Sequence, residues 1–218
     1  MAFEYLFKKE GKKTNAESGL LTLSDIKKNP DLLTCEIHPK SGETMILRPL
    51  APDDAQALTG FLEDLSEQTR GFYRLKSYDA IMAKEMCDAI GNYDKLRMVV
   101  TDERKRRLAG IFEYSFDIPD GDKKRFRNYS IRLDSKTDCR MGPCMADGYQ
   151  NRGLGSALFP RLIDIVRRFG KKRLILWDGV FKKNGRAINF YEKNGFRKLG
   201  MFENRTDGKS VDMIIDVN

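Results

Sequence analysis

The sequence predicts an α+β fold built on a mixed, mostly antiparallel sheet. Three observations predict it. Strand patterns stand at Thr44–Pro49, Leu96–Val100 and Leu108–Phe116, the last two flanking a charged turn as a hairpin would. Helical periodicity runs from about Gly153 to Phe169 and again from Gly185 to Asn194. The order is strand, two helices, several strands, helix, strand, helix, two strands.

The elements follow in order. Residues 1–42 are polar and Lys-rich, with Gly11, Gly19 and Pro30 as breakers, and read as an N-terminal extension of undetermined order. Within it, Leu33–Ile37 is a candidate short strand. The regular pattern, and the domain, occupy residues 43–218. After the first strand, Pro52 opens a helix whose first turn carries Asp53 and Asp54, carboxylates that oppose the helix dipole favourably. Ala55, Leu58, Leu62 and Leu65 give its apolar stripe. A second helix is expected over Tyr78–Ile90. The strands Leu96–Val100 and Leu108–Phe116 flank the charged run Asp102–Arg107, a hairpin signature. Residues 118–128 read as a polar loop and Tyr129–Leu133 as a further strand. Arg140–Ala146 is a strand containing Gly142-Pro143, so a bulge or an unpaired edge is expected there. Pro160 predicts a kink in the long helix. Arg173–Val180 is a strand, Gly195 caps the last helix, and Leu199–Phe202 and Val211–Val217 close around a turn at Asp207-Gly208.

Composition narrows the function classes. The chain has 218 residues, of which 40% are hydrophobic and 33% charged, as expected of one globular domain. No apolar run approaches the roughly 20 residues of a membrane-spanning helix, and the first residues lack the cation-then-apolar order of a secretory leader. A cytoplasmic location, with no membrane partner, is the expectation. Cys35, Cys87, Cys139 and Cys144 show no CxxC spacing, and His38 is the lone histidine. No metal site is expected, and a single surface histidine argues against Ser-His or Cys-His hydrolysis. The net charge is +8, and all of the excess lies in residues 136–218, which hold 17 Lys plus Arg against 9 Asp plus Glu. Such a surface suits a phosphorylated ligand or a nucleic acid.

The segment Gln150-Asn151-Arg152-Gly153-Leu154-Gly155-Ser156 favours the first. It lies between a strand and a helix, where free N–H groups at the positive end of the dipole form an anion site. Glycines let the backbone approach a phosphate. The spacing fits neither the dinucleotide fingerprint nor the P-loop. Downstream come Asn184, Ala187 and then Phe190-Tyr191-Glu192-Lys193-Asn194-Gly195-Phe196.

Taken together these segments resemble the GNAT superfamily of N-acetyltransferases: the first matches its Q/R-x-x-G-x-G/A motif, the second its N-x-x-A-x-x-x-Y-x-x-x-G-F motif. The resemblance covers residues 140–200 closely and extends from about 43 to the end. It implies a sheet with splayed parallel central strands, here Arg140–Ala146 and Arg173–Val180, flanked by helices. It implies acetyl-CoA as cosubstrate, with the pantetheine arm on main-chain groups of Met145 and Asp147. The pyrophosphate would rest on Gln150, Asn151, Arg152, Gly153, Leu154, Gly155 and Ser156, and Asn184 would bond the arm or its neighbouring backbone. Lys182 and Lys183 could meet the outer phosphates. Tyr191 is the matching general acid. The base has no motif behind it: Glu113 is the first candidate, and Asp147 and Asp178 stand as others. Residues 67–77 and 118–140 are the expected acceptor loops. The amine acceptor itself and a homodimer are left open. A non-catalytic acyl-CoA-binding module, or a basic nucleic-acid-binding protein, are the alternatives; Tyr191 argues against the first, and the clustering of cations near the phosphate motif against the second.

Overall fold

The computed structural model describes residues 19–90, 93–102, 107–204 and 208–217. One nine-stranded sheet organises them, in the order β1-β2-β3-β4-β5-β6-β9-β7, with β8 paired to β9. The strands are β1 Cys35–Ile37, β2 Met45–Pro49, β3 Lys95–Asp102, β4 Leu108–Ser115, β5 Asp138–Met145, β6 Arg173–Leu176, β7 Val180–Phe181, β8 Arg197–Asn204 and β9 Gly208–Asp216. Every pairing is antiparallel except β5 with β6. The helices are α1 Leu23–Lys28, α2 Ala55–Glu63, α3 Glu67–Tyr73, α4 Ala80–Asp88, α5 Asp120–Arg127, α6 Leu154–Arg168 and α7 Gly185–Lys193. Strand β5 must be followed by a crossover to reach its parallel neighbour β6, and α6 supplies it.

Two apolar layers cover the sheet. Leu154, Leu158, Leu162, Val166 and Phe196 pack on one face against Met98, Phe112 and Met141. On the other, Leu58, Leu62, Met82 and Met86 from α2 and α4 meet Val99, Ile111 and Cys144. Asp54 is the anchor where the first strand turns into α2: Arg48 reaches it with both terminal nitrogens, at 2.7 and 2.6 Å, and its carboxylate also takes the Ala51 N–H. Residues 19–37 lie on the domain, with Ile26, Leu33 and Ile37 in its core and Arg168 bonded to the Leu32 carbonyl. No helix among the described residues is long and apolar enough to cross a membrane.

Four local expectations change. Residues 120–127, expected as loop, form α5. Its acids, Asp120 and Asp122, stand in the first turn and Lys124, Arg125 and Arg127 in the last, so the helix is favoured by its dipole rather than by an apolar stripe. Tyr129–Leu133 forms no strand; Ser130 takes φ 60° and Ile131 bonds back to Phe126. Residues 67–73 form α3, capped by Ser66, whose hydroxyl accepts from the Thr69 N–H. The strand expected over 173–180 is broken at Trp177–Gly179 into β6 and β7. The long helix runs from Leu154 to Arg168 through Pro160. The Asp207 side of the last turn lies outside the described residues.

Candidate active site

The break at Trp177–Gly179 makes the site. Strands β5 and β6 stay in register from Asp138 with Arg173 to Met141 with Leu176. The Trp177 N–H still reaches the Met141 carbonyl at 2.9 Å. Then Asp178 and Gly179 take φ values of 53° and 65° and turn the chain away, and β7 pairs with β9 instead. A Cβ on Gly179 would lie 2.7 Å from the Val211 carbonyl oxygen and 2.9 Å from Phe202, so this turn requires glycine.

The outer half of β5, Gly142–Met145, therefore has β4 on one side and open space on the other. Main-chain groups alternate along a strand. Because the Met141 carbonyl faces β6 and the Ala146 N–H bonds back to Ala109 near β4, the Pro143 and Met145 backbone groups face the gap. Proline thus occupies a position where its missing N–H breaks no ladder bond, which is the unpaired edge that the sequence called for. Pairing of Pro143 with Phe112 continues without a register shift.

A cavity of about 1220 Å³ fills this gap and continues onto both faces of the sheet. At one end lies the start of α6. Asn151 and Gly153 adopt φ 60° and 81°, and the N–H groups of Asn151 to Ser156 donate to no described residue. Nothing lies within 4 Å of a Cβ built on Gly153, so the space above the backbone is open. Gly155 has a different reason to be glycine: its Cβ would stand 3.3 Å from the Phe190 ring of α7. Gln150 ties the turn down, donating to the Met145 carbonyl at 2.9 Å and to the Thr69 hydroxyl at 3.1 Å while accepting from Arg186. Leu154 is core, offering only its backbone. The Arg152 side chain is exposed, bonds the Gly148 carbonyl at 3.1 Å and does not line the cavity. The Ser156 residue lines it. Asn184 caps α7, its side-chain oxygen accepting from the Ala187 N–H at 3.1 Å, which accounts for the Asn-x-x-Ala spacing.

Tyr191 lines the cavity from α7, its ring against Phe190 and Phe196. Its hydroxyl bonds to no described residue. Burial raises its pKa above the ordinary phenol value, so it carries its proton throughout the neutral range. Across the cavity the floor is polar. Glu113 of β4 faces Arg97 and Lys95 of β3; Arg97 also bonds the Met86 carbonyl at 3.3 Å. Arg140 lies 4.2 Å above the Trp177 ring and is held by Asp122 and Ser115. Arg125 joins Asp122 to the fully buried Asp212. Burial raises the Asp212 pKa, against the lowering effect of Arg125 and Tyr129. Asp122, Arg125, Arg140 and Asp212 hold α5 against the sheet, and Phe72, Tyr73, Arg74 and Leu75, at the end of α3, also line the cavity. Asp178 is exposed at the rim. The Asp147 carboxylate is committed elsewhere, accepting from the Ser66 N–H and from the Ser66 and Thr69 hydroxyls.

Sequence reasoning did not find Thr69, Arg97, Asp122, Arg140 or Arg186. Ser66 followed by Glu67 is a helix-start signal that would have located Thr69; the other four depend on strand register and on helix docking. All four cysteines are free thiols, and no cluster of His, Cys, Asp and Glu among the described residues could hold a metal ion.

The parallel pair that parts over a glycine-rich helix start, in an otherwise antiparallel sheet, is the GNAT fold. A family model described as "Acetyltransferase (GNAT) family" matches residues 61–196, and the chain belongs to this family of acetyltransferases. Among similar solved structures is the GNAT domain of S. lividans PAT, 19% identical, with 86% of this chain and 98% of that one covered at a TM-score of 0.67. Spermidine N-acetyltransferase from Vibrio cholerae, solved with CoA and spermine, is 19% identical over 79% of this chain and 95% of that one, with a TM-score of 0.58. Ribosomal-protein-S5-alanine acetyltransferase from Vibrio fischeri is 12% identical over 80% and 93%, with a TM-score of 0.62. At these identities the likeness establishes the fold.

Proposed function

We propose that the chain moves an acetyl group from acetyl-CoA to an amine by direct attack, with both substrates held at once in the cavity. The observation that carries this reading is the gap beside Pro143 and Met145, which opens beside the start of α6, where the N–H groups of residues 151–156 donate to no described residue. Acetyl-CoA supplies an acyl group already activated as a thioester. The backbone of Asn151–Ser156 holds the pyrophosphate, with the dipole of α6 behind it. The Met145 carbonyl and the main chain at Asp147 pair with the extended arm as an added strand would. On the gap side of β5, proline at 143 leaves the Met145 N–H as the donor for negative charge on the acyl oxygen.

The chain's remaining work is proton traffic. The acceptor nitrogen must be neutral to attack, and an alkylamine with a pKa near 10.4 is mostly protonated at neutral pH. Glu113, on the cavity floor, takes up the amine proton directly or through water; Arg97 and Lys95 orient it. As the nitrogen–carbon bond forms and the carbon–sulfur bond breaks, Tyr191 gives its proton to the departing sulfur and recovers one from the amine side through water.

Calorimetric titration with acetyl-CoA beside its 3′-dephospho form tests the cofactor site. Micromolar binding that weakens without the 3′-phosphate is expected, Lys182 and Lys183 being exposed next to Asn184. No heat with either compound refutes the reading. An amine screen for free thiol release then identifies the acceptor.

A further inference from the structure

The two ends of the cavity are joined by hydrogen bonds, and of the residues in this joint, Ser66, Thr69, Asp147 and Gln150, only Gln150 belongs to a recognised motif. Helix α3 carries the acceptor-side wall at its C-terminal end, Phe72–Leu75. At its N-terminal end it is bonded to the turn that leads into the anion cradle. The Ser66 N–H donates to the Asp147 carboxylate at 2.8 Å, and the Ser66 and Thr69 hydroxyls donate to its other oxygen, each at 2.7 Å. Burial opposes ionisation of Asp147, but these three donors outweigh it and hold its pKa below the ordinary value.

Thr69 is the centre of this joint. It is the one buried residue of α3. Its hydroxyl has a single proton, given to Asp147, and its oxygen accepts from the Gln150 amide. The second amide proton of Gln150 goes to the Met145 carbonyl, and its oxygen accepts from Arg186. Gln150 therefore contacts the gap edge of β5, the start of the anion cradle and α3 at the same time. Thr69 is buried although Ser66 and Asp147 are exposed, and a hydroxyl that is both donor and acceptor fixes the side chains on either side of it.

We propose that Thr69 is a positioning residue: through Gln150 and Asp147 it transmits occupancy of the cofactor cradle to α3 and so sets the acceptor wall at Phe72–Leu75. This rests on the cofactor reading above. Next to Thr69, the middle of α3 has its own ties, Arg70 to the Leu62 and Glu63 carbonyls, at 3.2 and 2.7 Å, and the Tyr78 hydroxyl to the Arg70 carbonyl at 2.8 Å.

Amide hydrogen exchange with and without saturating acetyl-CoA tests this with no acceptor needed. In the wild type, acetyl-CoA is expected to slow exchange both at residues 150–157 and at residues 69–75, the latter by about tenfold, the size of a typical coupling between sites. In Thr69→Val, which keeps the shape and the Ser66 cap, protection at 150–157 remains and the added protection at 69–75 disappears. Thr69→Ser restores it. Equal added protection of 69–75 in wild type and Thr69→Val overturns the inference, as does failure of the serine variant to rescue. Acetyl-CoA protection confined to 150–157 in the wild type overturns it alone, leaving the cofactor site intact. Absence of acetyl-CoA binding in the wild type overturns the cofactor reading and this inference together.

Discussion

Tyr191→Phe separates the chemical role of this residue from its packing. The substitution removes one oxygen and leaves the ring, whose centroid lies 5.4 Å from Phe190 and 5.0 Å from Phe196. Since the hydroxyl bonds to no described residue, its loss strands no buried partner, and stability should change by less than about 0.5 kcal/mol. The start of α6 is untouched, so acetyl-CoA affinity by calorimetry is expected to match the wild type. A positioned general acid contributes about 10²- to 10⁴-fold, or about 2.7 to 5.4 kcal/mol of barrier at about 1.36 kcal/mol per tenfold. Single-turnover thiol release, with the amine found by screening, is expected to slow by that factor. The pH dependence adds a second check. Burial raises the Tyr191 pKa, so the acid stays protonated and active as pH rises. No alkaline loss of kcat from this group is expected below pH ~10, the free-phenol value. Unchanged turnover in Tyr191→Phe removes the residue from the mechanism. A wild-type alkaline limb near pH ~8.5 that the variant retains assigns the acid to another group.

Other outcomes follow from the same geometry. Gly155→Glu drives a carboxylate toward the anion cradle and a Cβ against Phe190, and acetyl-CoA heat should vanish while circular dichroism shows the fold retained. Gly179→Ala and Gly153→Ala impose the same positive φ on alanine, but only at Gly179 does the Cβ meet backbone. Urea unfolding should show a loss of about 2–5 kcal/mol at Gly179, from strain plus overpacking, against about 1 kcal/mol at Gly153. Acetyl-CoA affinity should fall instead at Gly153. Burial raises the pKa values of Tyr73, Tyr114 and Tyr191. The folded state then binds more protons than the unfolded chain above pH ~10, so their contribution is full below that pH and is lost as pH rises beyond it; a urea midpoint that did not fall between pH 8 and 10.5 would contradict this.

Local chemistry made much of this protein legible from its residues. Gln150–Ser156 needs only two left-handed backbone positions and a helix start, and both are written in residue types within one turn. Asn184, Ala187, Tyr191 and Gly195 likewise sit at positions fixed by helix geometry: a cap, the N–H it caps, a side chain one turn on, and a residue at φ 90° past the end. Of the early strands only 45–49 alternates in burial; 95–102 and 108–115 are buried over most of their length because apolar layers cover both faces of the sheet. Helix α5 was illegible because it buries fully only Asp122 and Phe126, too few for a periodic signal, and its acid is buried because Arg125 and Arg140 meet it in the tertiary structure.

The sequence by itself determined the left-handed turn and helix start at Gln150–Ser156, since both depend on backbone within a few residues. The tertiary structure alone decided where the strands part, because after Trp177 the chain leaves β5 and β7 pairs with β9 instead. It also decided that Glu113 faces Arg97 and that α3 is bonded to Asp147 and Gln150. These contacts join residues 16 and about 80 positions apart. A pattern along the chain records period and turn chemistry; register between distant strands and the docking of a short helix are fixed only when the whole core closes.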